Sequence, residues 1–518
     1  MLKVKCLLIF FPAFLCSFLL CAQLPEDALR LGFTQPSGTA REQAIGGAMG
    51  SLGGDLSSNY VNPAGLGFYK TGELLISPSF SMIGTKASYL SNNTKSASAN
   101  HFMLGTSGLV LAGKLNENGN STAFSLAVTR SADFNGHTFY KGNNSSTSGA
   151  QAYADEFGTS GLNINDGLSS PSLSYGTRMA IYTYLIDTSM GGSGPVIAQP
   201  NKILAAGGTL SQTTEISSTG GITEIALSLA NSSHEKWYLG ASLGIPIMNY
   251  QRTTRYTESD ISGKPNNDFG SYSYTESYSA KGAGVNLKVG AIYRPNLKWR
   301  FGLAVHSPSL YSITDKLSAS MVTNTEGYHG LDSIYSATLD QAANASNTLQ
   351  YDLTSPWHFI ASGSYIFPGA LQAGKMGFIT ADIEYITYKS PRFNLPADVN
   401  GNLPDNSYFA PLNSTIRDYY KNNLNFRLGG EFKIDELAFR LGGSYSMNPY
   451  SSPDLKVSRS TLGGGIGYRK KGIFIDLTFV QSFLNEVDFP YRLANKDNYY
   501  ASVKRSTGNI ILTMGFKF

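Results

Sequence analysis

The chain has 518 residues and a formal net charge of only +4, which gives no support for a nucleic-acid-binding surface. Charged residues make up 15%, against roughly 25% in soluble domains, while glycine (55), tyrosine (31) and phenylalanine (28) are abundant. The mean hydropathy of −0.14 excludes a bundle of membrane-crossing helices and leaves two classes, a transmembrane β-barrel or a large soluble all-β protein.

In chain order, Lys3 and Lys5 precede the apolar run LLIFFPAFLCSFLL. A positive n-region before an apolar core too short to span a bilayer reads as a secretory signal peptide, residues 1–22, with cleavage after Ala22 leaving Gln23. Leu20 stands where a lipobox wants a small residue, so lipid attachment at Cys21 is not expected. Cys6, Cys16 and Cys21 all lie in this segment, so the mature chain is expected to hold neither a disulfide nor a cysteine metal site.

Residues 23–72 are not strand-like. From residue 73 onward, apolar/polar alternation recurs in stretches bounded by turn residues. It predicts fourteen strands, near 73–84, 99–113, 121–132, 221–231, 236–250, 271–293, 298–319, 346–367, 375–390, 419–433, 435–447, 456–469, 472–485 and 499–518. Connections alternate short and long. NSSHE (231–235), RPNL (294–297), KIDE (433–436) and RKKG (469–472) are short; 133–220, 251–270, 320–345 and 391–418 are long. Tight turns on one rim and long extracellular loops on the other are the habit of an outer-membrane barrel, not of a sandwich. Within the first long connection, GTRMAIYTYLIDT (176–188) reads as a short helix.

The strand faces can be read by parity. Ile473, Ile475, Leu477 and Phe479 oppose Asp476 and Thr478; Ile379 and Ile383 oppose Asp382 and Glu384; Phe426 and Leu428 oppose Arg427 and Glu431. Phe439 and Leu441 oppose Arg440, and Phe301 and Leu303 oppose Arg300. Charge facing lipid costs roughly 2–4 kcal/mol at mid-bilayer, so in a barrel the charged face is the lumen. The last strand carries Ile510, Leu512, Met514, Phe516 and Phe518 on one face. It is expected to close against the first strand, since an open edge in lipid leaves backbone groups unpaired. This tail resembles the C-terminal signal read by the barrel-assembly machinery, with Phe516 and Phe518 at its end.

The stretch TAREQAIGGAMGSLGGDLSSNYVNPAGLGFYKTGELLISPSF (39–80) resembles the start of the FadL/TodX family of outer-membrane transporters of hydrophobic compounds. The matching positions are Ala40–Arg41, Gly46–Gly47–Ala48, Asp55 and Asn62–Pro63–Ala64–Gly65. Further echoes are GAIYRPNLKWRFGLAVHSP (290–308), SPWHFIASGSYIF (355–367), FRLGGEF (426–432), LAFRLGGSYS (437–446) and GGGIGYR (463–469). Leu52–Gly53–Gly54–Asp55 departs from the family's usual Ala-Asp-Asp run, and the 133–220 loop has no counterpart. The resemblance implies a fourteen-stranded antiparallel transmembrane β-barrel (73–518) with an N-terminal hatch (23–72) inside its lumen. A bore of that strand number is too wide for wall side chains to fill, and a glycine-rich segment can run irregularly through a polar lumen. The segment reads either as a movable plug or as a fixed turn into the first strand.

Catalytic and metal motifs are weak. GASLG (240–244) matches a nucleophile pattern but lies inside an alternating strand rather than at a sharp turn. The histidines (His101, His137, His234, His306, His329 and His358) show no metal-binding spacing. An enzyme, a metal and a cofactor are not expected. Lys288, Asp382, Glu384, Glu431 and Asp476 form a candidate lumen charge network. Arg300, Arg427 and Arg440 are candidates for orienting a ligand carboxylate, because the guanidinium fork pairs bidentately with it. YSITDKL (311–317) and FNLPADVNGNLPDNSYFAPL (393–412) could line an apolar capture groove.

The reading is a plugged outer-membrane barrel, embedded in outer-membrane lipid, for passive uptake of hydrophobic small molecules such as long-chain fatty acids or aromatic hydrocarbons. The alternatives are a FadL-like docking or secretion-associated scaffold and a specialised receptor for haem or another ligand, for which inward-facing His306 would be the axial candidate.

Overall fold

The computed structural model describes residues 24–33, 37–95, 98–113, 120–188, 194–343, 346–367, 375–397, 407–494, 496 and 498–518. The signal peptide expected at residues 1–22, with its three cysteines, lies outside the described residues. One antiparallel sheet closes on itself in fourteen strands. They are β1 (Glu73–Ile76 and Pro78–Tyr89), β2 (Asn92–Lys95, Ala99–Leu104 and Ser107–Ala112), β3 (Ser121–Asp133 and Gly136–Asn144), β4 (Leu210–Ser233) and β5 (Trp237–Asp260). Then follow β6 (Ser271–Tyr293), β7 (Trp299–His306 and Leu310–Asn324), β8 (Thr348–Thr354 and His358–Phe367), β9 (Lys375–Ile386) and β10 (Asn423–Ile434). The wall ends with β11 (Leu437–Ser446), β12 (Ser458–Lys470), β13 (Ile473–Asp488) and β14 (Ala501–Lys517). β14 pairs with β13 on one side and β1 on the other, Phe516 standing opposite both Ile473 and Leu74. No strand edge is left along the lower wall at this junction, which is what an apolar surrounding demands.

The burial pattern is inverted relative to a water-soluble fold. Leu441 is 74% and Leu303 65% exposed, whereas Asp382 and Asp476 are each 1% exposed. The outward apolar residues form one continuous band. Along β5 it runs through Trp237, Leu239, Leu243 and Ile247. Such a surface far exceeds the apolar patches tolerated in water, and fits a wall faced by hydrocarbon with a polar interior.

Tight turns with positive φ close the short rim, at His234–Glu235 (both 51°) and at Lys471–Gly472 (49° and 83°). The other rim is taller than alternation suggests. β3 and β4 take in 136–144 and 210–220 of the expected 133–220 loop, β5 extends to Asp260, and β7 extends to Asn324. YSITDKL is accordingly wall, not loop. Above the band the outward side faces water and becomes polar, as at Gln251, Thr253 and Arg255. The apolar/polar period that marks the lower wall is lost there. The connections that remain carry short helices, including Ala150–Ser160, Tyr175–Tyr182, Ser336–Ala343 and Ala410–Tyr419. The helix expected within 176–188 is the second of these.

Candidate functional site

The N-terminal segment runs through helices α1 (Pro25–Gly32), α2 (Ala40–Ala44) and α3 (Ser58–Val61) and a 3₁₀ turn (Pro63–Phe68) before entering β1. Thr39 caps α2, its hydroxyl accepting from Glu42 N–H. That hydroxyl also donates to Asp55 at 2.9 Å, and Asp55 accepts from Ser57 N–H at 3.0 Å, so Asp55 ties two turns of the segment together. Asn62 builds the next turn: its carbonyl oxygen accepts from Ala64 N–H at 3.1 Å and its amide donates to Gly50 O at 2.6 Å. Pro63 starts the 3₁₀ turn, and Gly65 O accepts from Gly54 N–H at 3.0 Å.

The segment meets the inner face of the wall on many sides. Ala40 N–H donates to Thr513 Oγ1 (2.8 Å) and Thr478 Oγ1 donates to Ala40 O (2.7 Å). Gly50 N–H donates to Asp382 (3.0 Å), and His306 Nε2 donates to Val61 O at 2.9 Å. Two glycines make the closest approach possible. Gly46 sits at φ +69°, and a Cβ there would fall on the backbone of Gly443; a Cβ on Gly442 would fall on the backbone of Ile45 and Gly46. The LGG of β11 is therefore a seat for this segment, a role that alternation alone does not disclose. Gly47, the next residue, lies against the Arg427 side chain.

The inward charges fall into three ion-paired groups, with Arg300 apart from them. Arg440, with no exposed side-chain surface, donates to Glu431 (2.6 Å) and Asp476 (2.7 Å), and Arg41 of the segment approaches Glu431 at 3.5 Å. Glu384 accepts from Arg427, from His358 Nδ1 at 2.8 Å and from Asn425 at 2.9 Å. Lys288 pairs with Glu224 and lies 5.0 Å from the Tyr60 ring centre. Arg300 donates to Leu52 O, and its guanidinium covers the Phe68 ring at 4.4 Å. All three arginines considered for a ligand are thus engaged by the segment and the wall, Arg427 through Glu384. Arg427 alone of the three lines a cavity, a polar space of about 120 Å³ between segment and wall that also touches Glu42, Tyr60 and His306. Burial pushes the Glu42 carboxyl up to about 7. Ser242 of GASLG lies within β5 and accepts from Ser228 at 2.7 Å, so the motif forms no nucleophile turn.

A larger chamber of about 700 Å³ lies towards the long-loop rim. Phe33, Phe134, Tyr153, Tyr250, Tyr256, Tyr274, Tyr450 and Phe489 line it, with Arg30, Arg130, Arg252, Arg459 and Arg505. Helix α1 enters it from the lumen side. Arg30 stacks on Tyr250 at 4.1 Å, Arg459 donates to Phe33 O at 3.1 Å, and Leu29 and Leu31 join an apolar cluster with Tyr278, Tyr351, Phe393 and Phe409. Sequence reasoning placed Phe393 and Phe409 in a capture loop; both are fully buried in this cluster. Residues 398–406 of that stretch lie outside the described residues. The chamber's own strand residues were missed because they stand above the apolar band.

The chamber reaches the wall at one seam. β2 pairs with β3 only along Ser107–Ala112, while Ala99–Leu104 pairs with β1 and Thr129–Asn144 with β4. Among the described residues no ladder joins β2 and β3 above that point. The segment bridges the interval instead: Ser37 N–H donates to Arg130 O (2.8 Å) and Thr106 N–H to Gly38 O (3.3 Å). Thr106 and Thr129 hydroxyls meet at 3.0 Å, and His101 Nε2 stands 3.0 Å from Asp133 Oδ2. Met103, Arg130 and Asp133 at this seam all line the chamber.

A closed wall with apolar outside, charged inside and an occupied lumen defines the class, a fourteen-stranded transmembrane β-barrel. More particularly, the fold is that of the FadL and TodX channels for hydrophobic compounds. A FadL homologue of Pseudomonas aeruginosa matches with a TM-score of 0.52 at 13% identity, over 93% of this chain and 98% of that one. The P. putida toluene transporter TodX matches with a TM-score of 0.50 at 13% identity, over 93% of this chain and 99% of that one. At such identity the likeness is one of fold alone. No protein-family model and no curated protein matches the sequence.

Proposed function

We propose that this protein is an outer-membrane channel through which hydrophobic small molecules enter passively. The observation that carries this reading is the aromatic chamber of about 700 Å³, continuous with a seam in the wall. A pocket of that size holds a drug-sized ligand; its aromatic rings offer apolar contact, and its many charged side chains, Arg30, Arg252 and Arg459 among them, favour a ligand with a polar end. A ligand captured by the long loops passes to the chamber and leaves through the β2–β3 seam into lipid, which spares it the polar lumen beneath. Residues 37–38 close the seam and lead directly into the segment at 39–68, so the segment acts as a hatch coupled to the exit. Gly46, Gly47, Asp55, Asn62, Pro63, Ala64 and Gly65 shape that hatch. Arg300, Arg440, Lys288, Asp382, Glu384, Glu431 and Asp476 grip it or balance charge around it; Arg427, paired with Glu384 in the polar space beneath the segment, belongs with them and lies off the ligand's path. Aromatic hydrocarbons, the cargo named for TodX, and long-chain fatty acids are the substrate classes to test first. Residues 1–22 direct export, and Phe516 on β14 and Phe518 just past its end are read by the barrel-assembly machinery.

The test is a disulfide across the seam. With its leader removed the chain has no other cysteine, so Thr106→Cys/Thr129→Cys gives a clean lock. In reconstituted vesicles, labelled toluene and palmitate uptake is expected to fall to background when oxidised and to return on reduction. Uptake by the oxidised double variant equal to wild type, with the bridge verified by mass, would overturn the lateral exit.

A further inference from the structure

Two lysines face each other across the closure of the barrel. The register sets Lys86 of β1 opposite Lys504 of β14 on one side and opposite Lys95 of β2 on the other. Lys86 and Lys504 are exposed on the outer surface. Like charges directly opposite in an antiparallel pair repel, and among the described residues neither Lys86 nor Lys504 forms an ion pair. The next residue across the sheet from Lys504 is Asn485, and the chain carries no acidic residue between Glu73 and Glu117. On β14 the only acidic neighbour in sequence is Asp497, before the strand begins.

The height of the pair is equally specific. Along β1 the outward positions read Leu74, Ile76, Pro78, Phe80, Met82, Gly84 and then Lys86; along β14 they read Phe516, Met514, Leu512, Ile510, Gly508, Ser506 and then Lys504. Twelve residues from Leu74 to Lys86, at a rise of about 3.3 Å and a tilt of about 40°, span about 30 Å of membrane normal. The apolar band of such barrels is about 25 Å tall. The ammonium groups therefore stand just past the hydrocarbon, at head-group level. Neighbouring strands lie about 4.8 Å apart, so two adjacent ammonium groups can share one phosphate.

We propose that the facing Lys504–Lys86 pair binds the phosphate of a membrane lipid in the leaflet on the long-loop side, holding an annular lipid beside the barrel closure. The inference rests on the membrane placement argued above and adds a lipid partner to it.

The experiment uses the full mature chain in detergent micelles, with bound lipid read by native mass spectrometry. Palmitoyl-oleoyl phosphatidic acid and the matching phosphatidylcholine are added in equal amounts, with and without inorganic phosphate at 10 mM as the competitor for free-anion binding. Wild type is expected to retain phosphatidic acid about tenfold over phosphatidylcholine. Lys86→Gln/Lys504→Gln is expected to reduce that preference to about twofold or less, while Lys298→Gln, on the opposite rim, leaves it unchanged. Persistence of the preference in the double variant, its absence in wild type, or its abolition by inorganic phosphate would each overturn the lysine pair and leave the barrel's membrane placement standing. A chain that stays dispersed without detergent and carries no lipid would overturn both. A folded state for each variant is checked by its heat-modifiable mobility before binding is compared.

Discussion

Arginine placed at successive heights on the outer face of β11 should report the surroundings of the wall directly. Leu437, Leu441 and Tyr445 all point outward, with Leu441 74% exposed and midway between the other two. Four residues of strand, tilted at about 40°, separate the middle position from each end by about 10 Å along the membrane normal. Arginine in hydrocarbon costs about 2–4 kcal/mol at the midplane and about 0–1 kcal/mol near the interface. Leu441→Arg is therefore expected to lose about 2–4 kcal/mol, and Leu437→Arg and Tyr445→Arg about 1 kcal/mol or less. Arg440, one residue away, is a natural arginine that points into the lumen, so the strand itself tolerates the side chain. The assay is urea unfolding of the mature chain refolded into phosphatidylcholine vesicles, with slopes compared so that midpoints report stability. Three variants of equal stability would refute a lipid-facing wall, because water on the outer face has no midplane.

Three further outcomes follow from the interior. Arg440→Met leaves Glu431 and Asp476 without their shared buried partner and is expected to cost about 3–5 kcal/mol in the same titration. Gly442→Val drives a side chain into the backbone of Ile45 and Gly46, so the hatch should be unseated and single-channel conductance in planar bilayers raised, with the wall still formed. Glu42 keeps its proton to about pH 7 inside the barrel, against an ordinary value of 4.5. The native state thus binds more protons than the unfolded one between those values. Seating of the hatch is then strongest below about pH 4.5 and weakens as pH rises through 7. Proteolytic nicking of residues 24–60 should increase over that range, and Glu42→Gln should flatten the dependence.

The lower wall was legible in the sequence because lipid outside and polar lumen inside impose a strict two-residue period. Leu477 against Asp476, or Ile383 against Glu384, reports its own face. The upper wall was not, since β5 beyond Asn249 meets water on its outer side and the contrast vanishes. Parity placed Arg300, Arg427 and Arg440 inward but could not name their partners. One partnership could have been found. The short turn at Asp435–Glu436 sets Ile434 opposite Leu437 and hence Glu431 opposite Arg440. Asp476 reaches Arg440 across β12, and Leu52 O reaches Arg300 from the segment inside the lumen, over 36 and 248 residues of chain, and no alternation pattern carries either. The seam was equally hidden, because it is an interruption of pairing between strands that each look regular.

The unequal height of the wall gives the molecule a front and a back. β4 and β5 have 24 residues each, and β9 and β10 have 12. At the same rise and tilt, one side overtops the other by about 30 Å. A sheet hydrogen-bonded over that height is a stiff screen, and the helices of 150–182 lean on it through Tyr256, Tyr272 and Met321. For the uptake proposed above, the low side is the place to look for a yielding element, where helix Ala410–Tyr419 packs with Tyr351 and Phe393. On that proposal arrival is sideways, over a parapet, and the orientation of each molecule in the plane of the membrane decides which neighbours can obstruct its doorway.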